Sequence, residues 1–336
     1  MRKLASIQQV SDVIEHTNAD VLELAKINGW ICVVKKGEFK PGDLGVYFEI
    51  DSFLPSSDER FSFLSKTFIE FEGMMGARIH TLRLRGELSQ GLLLPLSLFP
   101  EVQGKEIGED VTEAIGVLKY EKPFPLDENA KGHFPWYIRK TEQERIQNLL
   151  HMDRSGEWER TEKLNGVSLT VSLNENEFAV SSRNLELLET DDHPSWIAAR
   201  EYKLEKKLRE YGRNIALQGE LLGPGIQKNR YQMQGFAFRL FDIYDIDQKR
   251  RLLPEERKEV LATLNTYDEL PIEETPFLGY VTLPEEENWM EKLLKNSNGK
   301  SLLNPKTIRE GDVYKHRTKN LSFKVISNKF LLKYDD

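Results

Sequence analysis

The sequence predicts an α+β fold in two parts, a small closed β-barrel followed by a larger domain of strands and helices. Two observations carry that expectation. Over the first third, short strand-like runs are separated by turn residues, the pattern of a small all-β module. After a stretch of prolines and glycine with little periodicity, alternating apolar runs are interleaved with longer helical spacings.

The barrel is read in residues 1–115, from runs at 21–27, 30–34, 44–50, 79–84 and 91–95. Lys40-Pro41-Gly42-Asp43 and Arg85-Gly86-Glu87 supply turn chemistry between them. Five short strands over about 100 residues fit an OB-like barrel. The stretch from Lys35-Lys36-Gly37-Glu38 to Glu49-Ile50-Asp51 is similar to OB modules that bind structured RNA. It can equally serve only to shape the neighbouring domain.

Residues 116–135 read as a linker and residues 136–336 as the second domain. Strands are expected there at 167–173, 177–181, 216–222, 237–244, 279–282, 311–314 and 321–326. Helices are expected at 142–150, 195–211, 254–266 and 285–296. Pro254 suits the first turn of its helix, where a missing amide hydrogen costs little. Thr141 reads as an N-cap with Glu144 completing a capping box. The 195–211 helix carries Arg200, Lys203, Lys206, Lys207 and Arg209 at spacings of three and four. That face suits phosphates, or else pairs with Glu201, Glu205 and Glu210 on a solvated helix.

A chain of 336 residues is long enough for two domains with cores of their own. Hydrophobic residues at 39% and charged residues at 30% describe an ordinary globular protein rather than a disordered or membrane chain. No run approaches the roughly 18 apolar residues of a membrane span, and the N-terminus lacks a signal-peptide core. The one cysteine, Cys32, rules out an internal disulfide and fits the reducing cytoplasm. A net charge of −8 argues mildly against nucleic-acid binding, but local patches rather than the total set phosphate affinity.

The most informative residue is Lys163, in Glu162-Lys163-Leu164-Asn165-Gly166 between two strand-like runs. A lysine, then a polar residue two positions on, then glycine suits attack on the α-phosphate of a nucleotide. The lysine must be neutral to attack, so nearby cations or a dry pocket must depress its basicity. The glycine lets the backbone turn tightly beside a phosphate.

Lys163 and five downstream segments resemble, in order, the motif set of covalent nucleotidyltransferases, the ligases and capping enzymes. The segments are Ser181-Ser182-Arg183-Asn184, Gln218-Gly219-Glu220-Leu221-Leu222-Gly223-Pro224-Gly225, Phe238-Arg239-Leu240-Phe241-Asp242-Ile243, Glu310-Gly311-Asp312-Val313 and residues 321–329. Over nearly its whole length the chain resembles the RNA ligase family of the Deinococcus type, an OB domain before a nucleotidyltransferase domain. The resemblance implies an ATP-grasp-like, ligase-type domain with antiparallel sheets and flanking helices.

It also implies roles. Lys163 would be the nucleophile. Arg183 would face the nucleotide sugar or phosphate, and Glu220 a ribose hydroxyl or a metal-bound water. Strand alternation sets Phe241 opposite Phe238, so at most one of them would stack on the base, and Phe241 directly precedes the motif's aspartate. Lys324 would contact the α-phosphate and stabilise the charge that develops there. Magnesium or manganese would sit near Asn165, Glu220 and Glu310, held through waters. Residues 138–148 resemble another ligase segment, whose cations, Arg145 among them, would meet the β- and γ-phosphates. Gly166 would admit the nucleotide closely, and Glu162 would lie next to the adenine pocket, favouring ATP over GTP.

Two departures stand out. Asparagine replaces the usual aspartate at position 165; it accepts hydrogen bonds but brings no charge, so metal affinity is expected to fall. Related phage ligases carry a second lysine two residues after Lys324, where this chain has Ile326. Domain order also bears on the reading: the barrel comes first, and only seven residues follow Lys329. That order resembles RNA ligases rather than capping enzymes or DNA ligases. The expected function is an ATP-dependent RNA ligase, a cytoplasmic monomer that seals 3′-hydroxyl/5′-phosphate breaks, nicks above all, through lysyl-AMP. A guanylyltransferase of the capping type and a non-catalytic RNA-binding protein are the alternatives.

Overall fold

A computed structural model describes residues 3–121, 129–266 and 269–334. The chain divides into two compact units, Met1–Pro125 with Leu331–Asp336, and Leu126–Phe330.

The first unit holds β1 (Ala5–Gln9), β2 (Asp12–Glu15), β3 (Leu22–Ile27), β4 (Trp30–Lys35), β5 (Leu44–Phe48), β6 (Ser52–Pro55), β7 (Phe68–Phe71), β8 (Met74–Arg78), β9 (Thr81–Leu84), β10 (Glu87–Gln90), β11 (Leu92–Pro95) and β12 (Leu118–Lys119), with a one-turn α1 (Thr112–Ile115). The strands pair antiparallel as β1-β5-β11, β2-β3-β4, β9-β10 and β12-β6-β8-β7. Two adjoining cores lie beneath them, one around Ile7, Phe48 and Phe61, the other around Trp30, Cys32 and Tyr47. The five runs read in the sequence all appear, as β3, β4, β5, β9 and β11. The rest escape a pattern search because they are two to five residues long and irregularly exposed. The β9–β10 hairpin turns at Arg85 and Gly86, both at positive φ, the two-residue turn that matches strand twist.

The second unit is built on two sheets. Its strands are β13 (Ala130–His133), β14 (Glu144–Arg145), β15 (Glu157–Lys163), β16 (Val167–Asn174), β17 (Glu177–Ser181), β18 (Leu185–Leu187), β19 (Ile215–Leu222), β20 (Ala237–Asp245), β21 (Arg250–Arg251), β22 (Glu273–Glu274), β23 (Phe277–Thr282), β24 (Gly311–His316) and β25 (Ser322–Ile326). Its helices include α2 (Pro194–Glu201), α3 (Leu204–Tyr211), α4 (Pro254–Leu264) and α5 (Trp289–Ser297). The eight-stranded sheet runs β13-β18-β17-β16-β19-β20-β21, with β22 beside β20; the five-stranded sheet runs β14-β25-β24-β15-β23. Pairing is antiparallel except for the short β14 against β25 and β22 against β20.

Helices α2, α3 and α4 bury Trp196, Leu204, Leu208, Leu261 and Leu264 against Leu169, Leu217, Phe238 and Leu240 of the larger sheet. Helix α5 covers one face of the smaller sheet with Trp289 and Leu293 over Trp158, Tyr314 and Phe323. The uncovered faces meet. Lys315 of β24 reaches across to donate to the Asp242 carboxylate of β20, at 2.6 Å, and to the Phe241 carbonyl.

Several sequence expectations are corrected here. No helix forms at 142–150; Glu144–Arg145 is β14, followed by a single 3-10 turn, Ile146–Asn148. The Thr141 hydroxyl donates to Gln218 Oε1 at 3.0 Å instead of capping, and pairing with β25 draws the backbone straight. The helix at 195–211 is two helices, because Lys203 takes φ 50°, ψ 40° and breaks the hydrogen-bond ladder. The helix at 285–296 begins only at Trp289. Pro254 does open its helix at the first turn. Within the stretch read as linker, Ala130–His133 pairs with β18, and residues 122–128 lie outside the described residues.

Candidate active site at Lys163

Lys163 ends β15, where its partner across the ladder is Gly311, the first residue of β24. That register brings Glu310, one residue before β24, beside the ammonium: Lys163 Nζ lies 2.6 Å from Glu310 Oε1. The chain then turns through Leu164 and Asn165 into β16, whose Ser168 faces Glu220 of β19. The Gly166 amide donates to Glu220 Oε1 at 2.8 Å, which pins the turn onto the strand carrying that carboxylate.

Gly166 is needed for a different reason from the one its motif suggests. Its φ is not positive. A Cβ there would instead collide with the Leu221 carbonyl oxygen and lie 2.8 Å from Glu220 Cγ, so only glycine lets the turn press against β19.

Electrostatics tie the three charged groups together. Burial works against the charge on Lys163, but Glu310 and Glu220 outweigh it and raise its pKa above the usual lysine value. Burial also pushes Glu220 up to about 7, with Lys163 pulling it down and Glu310 adding to the rise. As arranged, Lys163 is a protonated amine, not yet a nucleophile.

The other expected residues separate into those the structure gathers here and those it does not. Lys324 of β25 sits opposite Val313 of β24 and beside Arg145 of β14, so the two cations share one edge of the smaller sheet. Arg145 is buried to 8% exposure, in a strand rather than in the expected helix. Arg183 follows β17, and its charge acts on both Lys163 and Glu220; its side chain is more than half exposed and pairs with Glu142 at 3.2 Å. Phe241 is the extra residue of a bulge, since Gln218 pairs with Asp242 and Gly219 with Leu240. It is half-buried, whereas Phe238 is fully buried in the helix-side core.

Glu162 does not join the cluster. Strand alternation turns it away from Lys163, and it is buried, accepting from the Leu302 amide at 2.8 Å. Asn165 joins only through its backbone, and its side chain is engaged elsewhere. Its amide donates to the Tyr231 hydroxyl at 2.8 Å, and its Oδ1 accepts from Arg230 Nε at 3.0 Å.

Among the described residues no three His, Cys, Asp or Glu side chains converge as a direct metal cage. Glu220 and Glu310, both flanking Lys163, fit a hard, largely hydrated cation, which needs only one or two carboxylates. Asn165 fits less well, because a guanidinium occupies its oxygen.

Three residues escaped the sequence reading. Lys315 was legible, since alternation from Gly311 through Val313 puts it on the cleft face of β24. Arg230 and Tyr231 lie between β19 and β20 in a segment of turns and one short 3-10 element, where no periodicity marks them.

A lysine between two facing sheets, with two glutamates about its amine, fits the nucleotidyltransferase class. Residues 4–96 match a family model described as an OB-fold domain, and residues 156–334 match the RNA ligase model. The chain is 42% identical to Naegleria gruberi RNA ligase in a lysine-to-methionine mutant with AMP and Mn, TM-score 0.94, with 100% of both chains covered. The same ligase with PPi gives a TM-score of 0.93 at 42% identity, again with 100% of both chains covered. A lysine-to-alanine mutant with ATP and Mn gives 0.93 at 42% identity, with 99% of each chain covered. No match is found among curated proteins. The chain belongs to the RNA ligase family.

Proposed function

We propose that this chain is an ATP-dependent RNA ligase of the Deinococcus type. It seals 3′-hydroxyl/5′-phosphate breaks, in particular nicks whose 3′-hydroxyl strand is RNA. The carrying observation is Lys163 Nζ at 2.6 Å from Glu310, with Glu220 held on the adjoining strand by Gly166. ATP as the nucleotide is supported by the Naegleria ligase structures with ATP and AMP, and Mn by the same structures. The order of the two matched segments, OB-fold first, supports the Deinococcus type over capping enzymes. We place the protein in the cytoplasm as a monomer, in keeping with its single buried, unpaired cysteine.

Lys163 attacks the α-phosphate in line, pyrophosphate leaves, and the lysine carries AMP. The adenylate passes to the 5′-phosphate end, and a 3′-hydroxyl displaces AMP as the phosphodiester forms. Before the first step Lys163 must give up its proton, and Glu310 is the group that holds it there. Arg183, Lys324 and Arg145 are the cations that would meet the phosphates, Lys324 at the α-phosphate. Phe241, whose ring centre lies 6.0 Å from Lys315 Nζ, offers its ring to the base. Glu220 and Glu310 would hold a divalent ion, which would supply charge stabilisation to the phosphate oxygens.

The deciding experiment is the intact mass of the purified protein before and after ATP and manganese, alongside Lys163→Ala. A gain of one AMP in the parent and none in the variant is expected. No adduct in the parent, even after pyrophosphate has stripped any bound AMP, would favour the non-catalytic RNA-binding reading.

A further inference from the structure

Trp136 is 92% exposed, whereas Trp30, Trp158, Trp196 and Trp289 are all buried. A fully solvated indole is costly to leave in water, and large apolar surface of this kind marks a contact site. Aromatic residues flank it, and two cations follow. His133, Arg139 and Lys140 are exposed, and Phe134 and Tyr137 are half-buried. The Trp136 and Tyr137 rings meet edge to face at 5.9 Å, and Lys140 Nζ lies 5.5 Å from the Phe134 ring centre.

The segment is not a loose loop. Tyr137 and Ile138 pack with Ala216 and Tyr244. Gln218 donates to the Arg139 carbonyl at 3.1 Å and accepts from Thr141 at 3.0 Å. Gln218 stands two residues before Glu220 on β19, so the segment is anchored to the strand that carries a site carboxylate. At its other edge the Phe134 amide donates to the Asn184 carbonyl at 2.8 Å, and Lys140 Nζ donates to Asn184 Oδ1 at 2.9 Å. Asn184 follows Arg183 directly. A continuous line therefore runs from Trp136 through Lys140 and Asn184 to Arg183, whose charge reaches Lys163.

We propose that this line is a track for an RNA strand, with Trp136 stacking on a base that is unpaired or frayed from its duplex. The inference rests on the RNA ligase reading and adds a substrate-contact surface to it. An aromatic platform beside cations is the chemistry that holds single-stranded nucleic acid, because every base offers a π face. Lys140 spends its charge on neutral partners, and the Arg183–Glu142 pair is exposed enough to yield to a phosphate. Trp136 also lines a cavity where Lys131 pairs with Glu186 and Arg209 with Glu205, so the cations there are already spent. Helix α3 offers no better route: Lys206 pairs with Glu210, and Lys207 is buried, donating to the Leu270 carbonyl.

The test uses the intrinsic fluorescence of Trp136, the one exposed indole among the described tryptophans. A nicked duplex with an RNA 3′-hydroxyl strand, and that RNA strand alone, are titrated into the parent under acrylamide. RNA is expected to protect the emission. Trp136→Ala is expected to weaken RNA binding about fivefold or more, the low end for loss of one stacked base, while Trp136→Phe keeps most of it. KM for the RNA should rise in Trp136→Ala with AMP uptake from ATP as in the parent. Unprotected emission, or an unchanged KM for RNA in Trp136→Ala, overturns the track. A parent that takes up no AMP and joins no RNA overturns the ligase reading instead.

Discussion

Lys163 Nζ and Glu310 Oε1 stand 2.6 Å apart, a separation that holds the proposed nucleophile as a cation. Glu310 is the largest of the influences that raise the Lys163 pKa against the pull of burial. With its carboxylate gone, burial dominates and the amine loses its proton at lower pH. Glu310→Gln should therefore move the rising limb of the AMP-uptake rate to lower pH. The maximal rate should fall roughly 100-fold, because the same carboxylate would hold the divalent ion that meets the developing phosphate charge. Rates across pH, measured by intact mass, check both. A limb that stays in place would mean Glu310 does not set the protonation of Lys163.

Glu220 makes a stability prediction of opposite sign to an ordinary ion-paired carboxylate. Its folded pKa is raised to about 7, so between the usual glutamate value and that point the folded chain binds more protons than the unfolded one. Stability contributed by the neutral form is full at low pH and is lost as pH rises toward 7. Glu220→Gln, which stays neutral, should melt higher than the parent at pH 8 by on the order of 1–2 kcal/mol, discounted for partial exposure. At pH 4 the two should melt together. Melting curves at the two pH values decide it, and a parent that is the more stable at pH 8 refutes the shift.

Asn165 is held at both ends, by Tyr231 through its amide and by Arg230 through its Oδ1. Introducing a carboxylate with Asn165→Asp would turn the Arg230 contact into a charge-assisted bond and add negative charge beside the turn that carries Gly166. The expected result is AMP uptake at about tenfold lower manganese. An unchanged manganese midpoint would show that position 165 acts only through its backbone.

Much of this was legible in the sequence, and the losses have physical causes. Lys163, Glu220 and Glu310 could be found because their segments match, in order, the motif set of covalent nucleotidyltransferases, and ladder registers then bring them together. Tyr231 and Arg230 could not, since a segment without period gives no face to read. The 142–150 helix failed because a capping-box pattern describes only local preference, whereas Thr141 finds a partner 77 residues away in Gln218. Lys203 in a left-handed conformation is likewise invisible to residue type, as lysine gives no warning of it.

Gly166 supplies the sharpest test of the turn that presents Lys163. Its amide bond to Glu220 and the approach of Leu221 both require that no side chain intervene. In Gly166→Ala the methyl group meets backbone as well as the Glu220 stem, and backbone cannot swing aside as a flexible side chain would. The turn must lift from β19, at a cost of about 1–3 kcal/mol for overpacking. Lifting it lengthens the Gly166–Glu220 bond and displaces the carboxylate from Lys163, so AMP uptake should fall about 100-fold, as for a misplacement of 1 Å. A melt and an uptake assay on the same preparation separate the two effects. Normal uptake with a lowered melt would leave Gly166 a packing residue with no hold on the site.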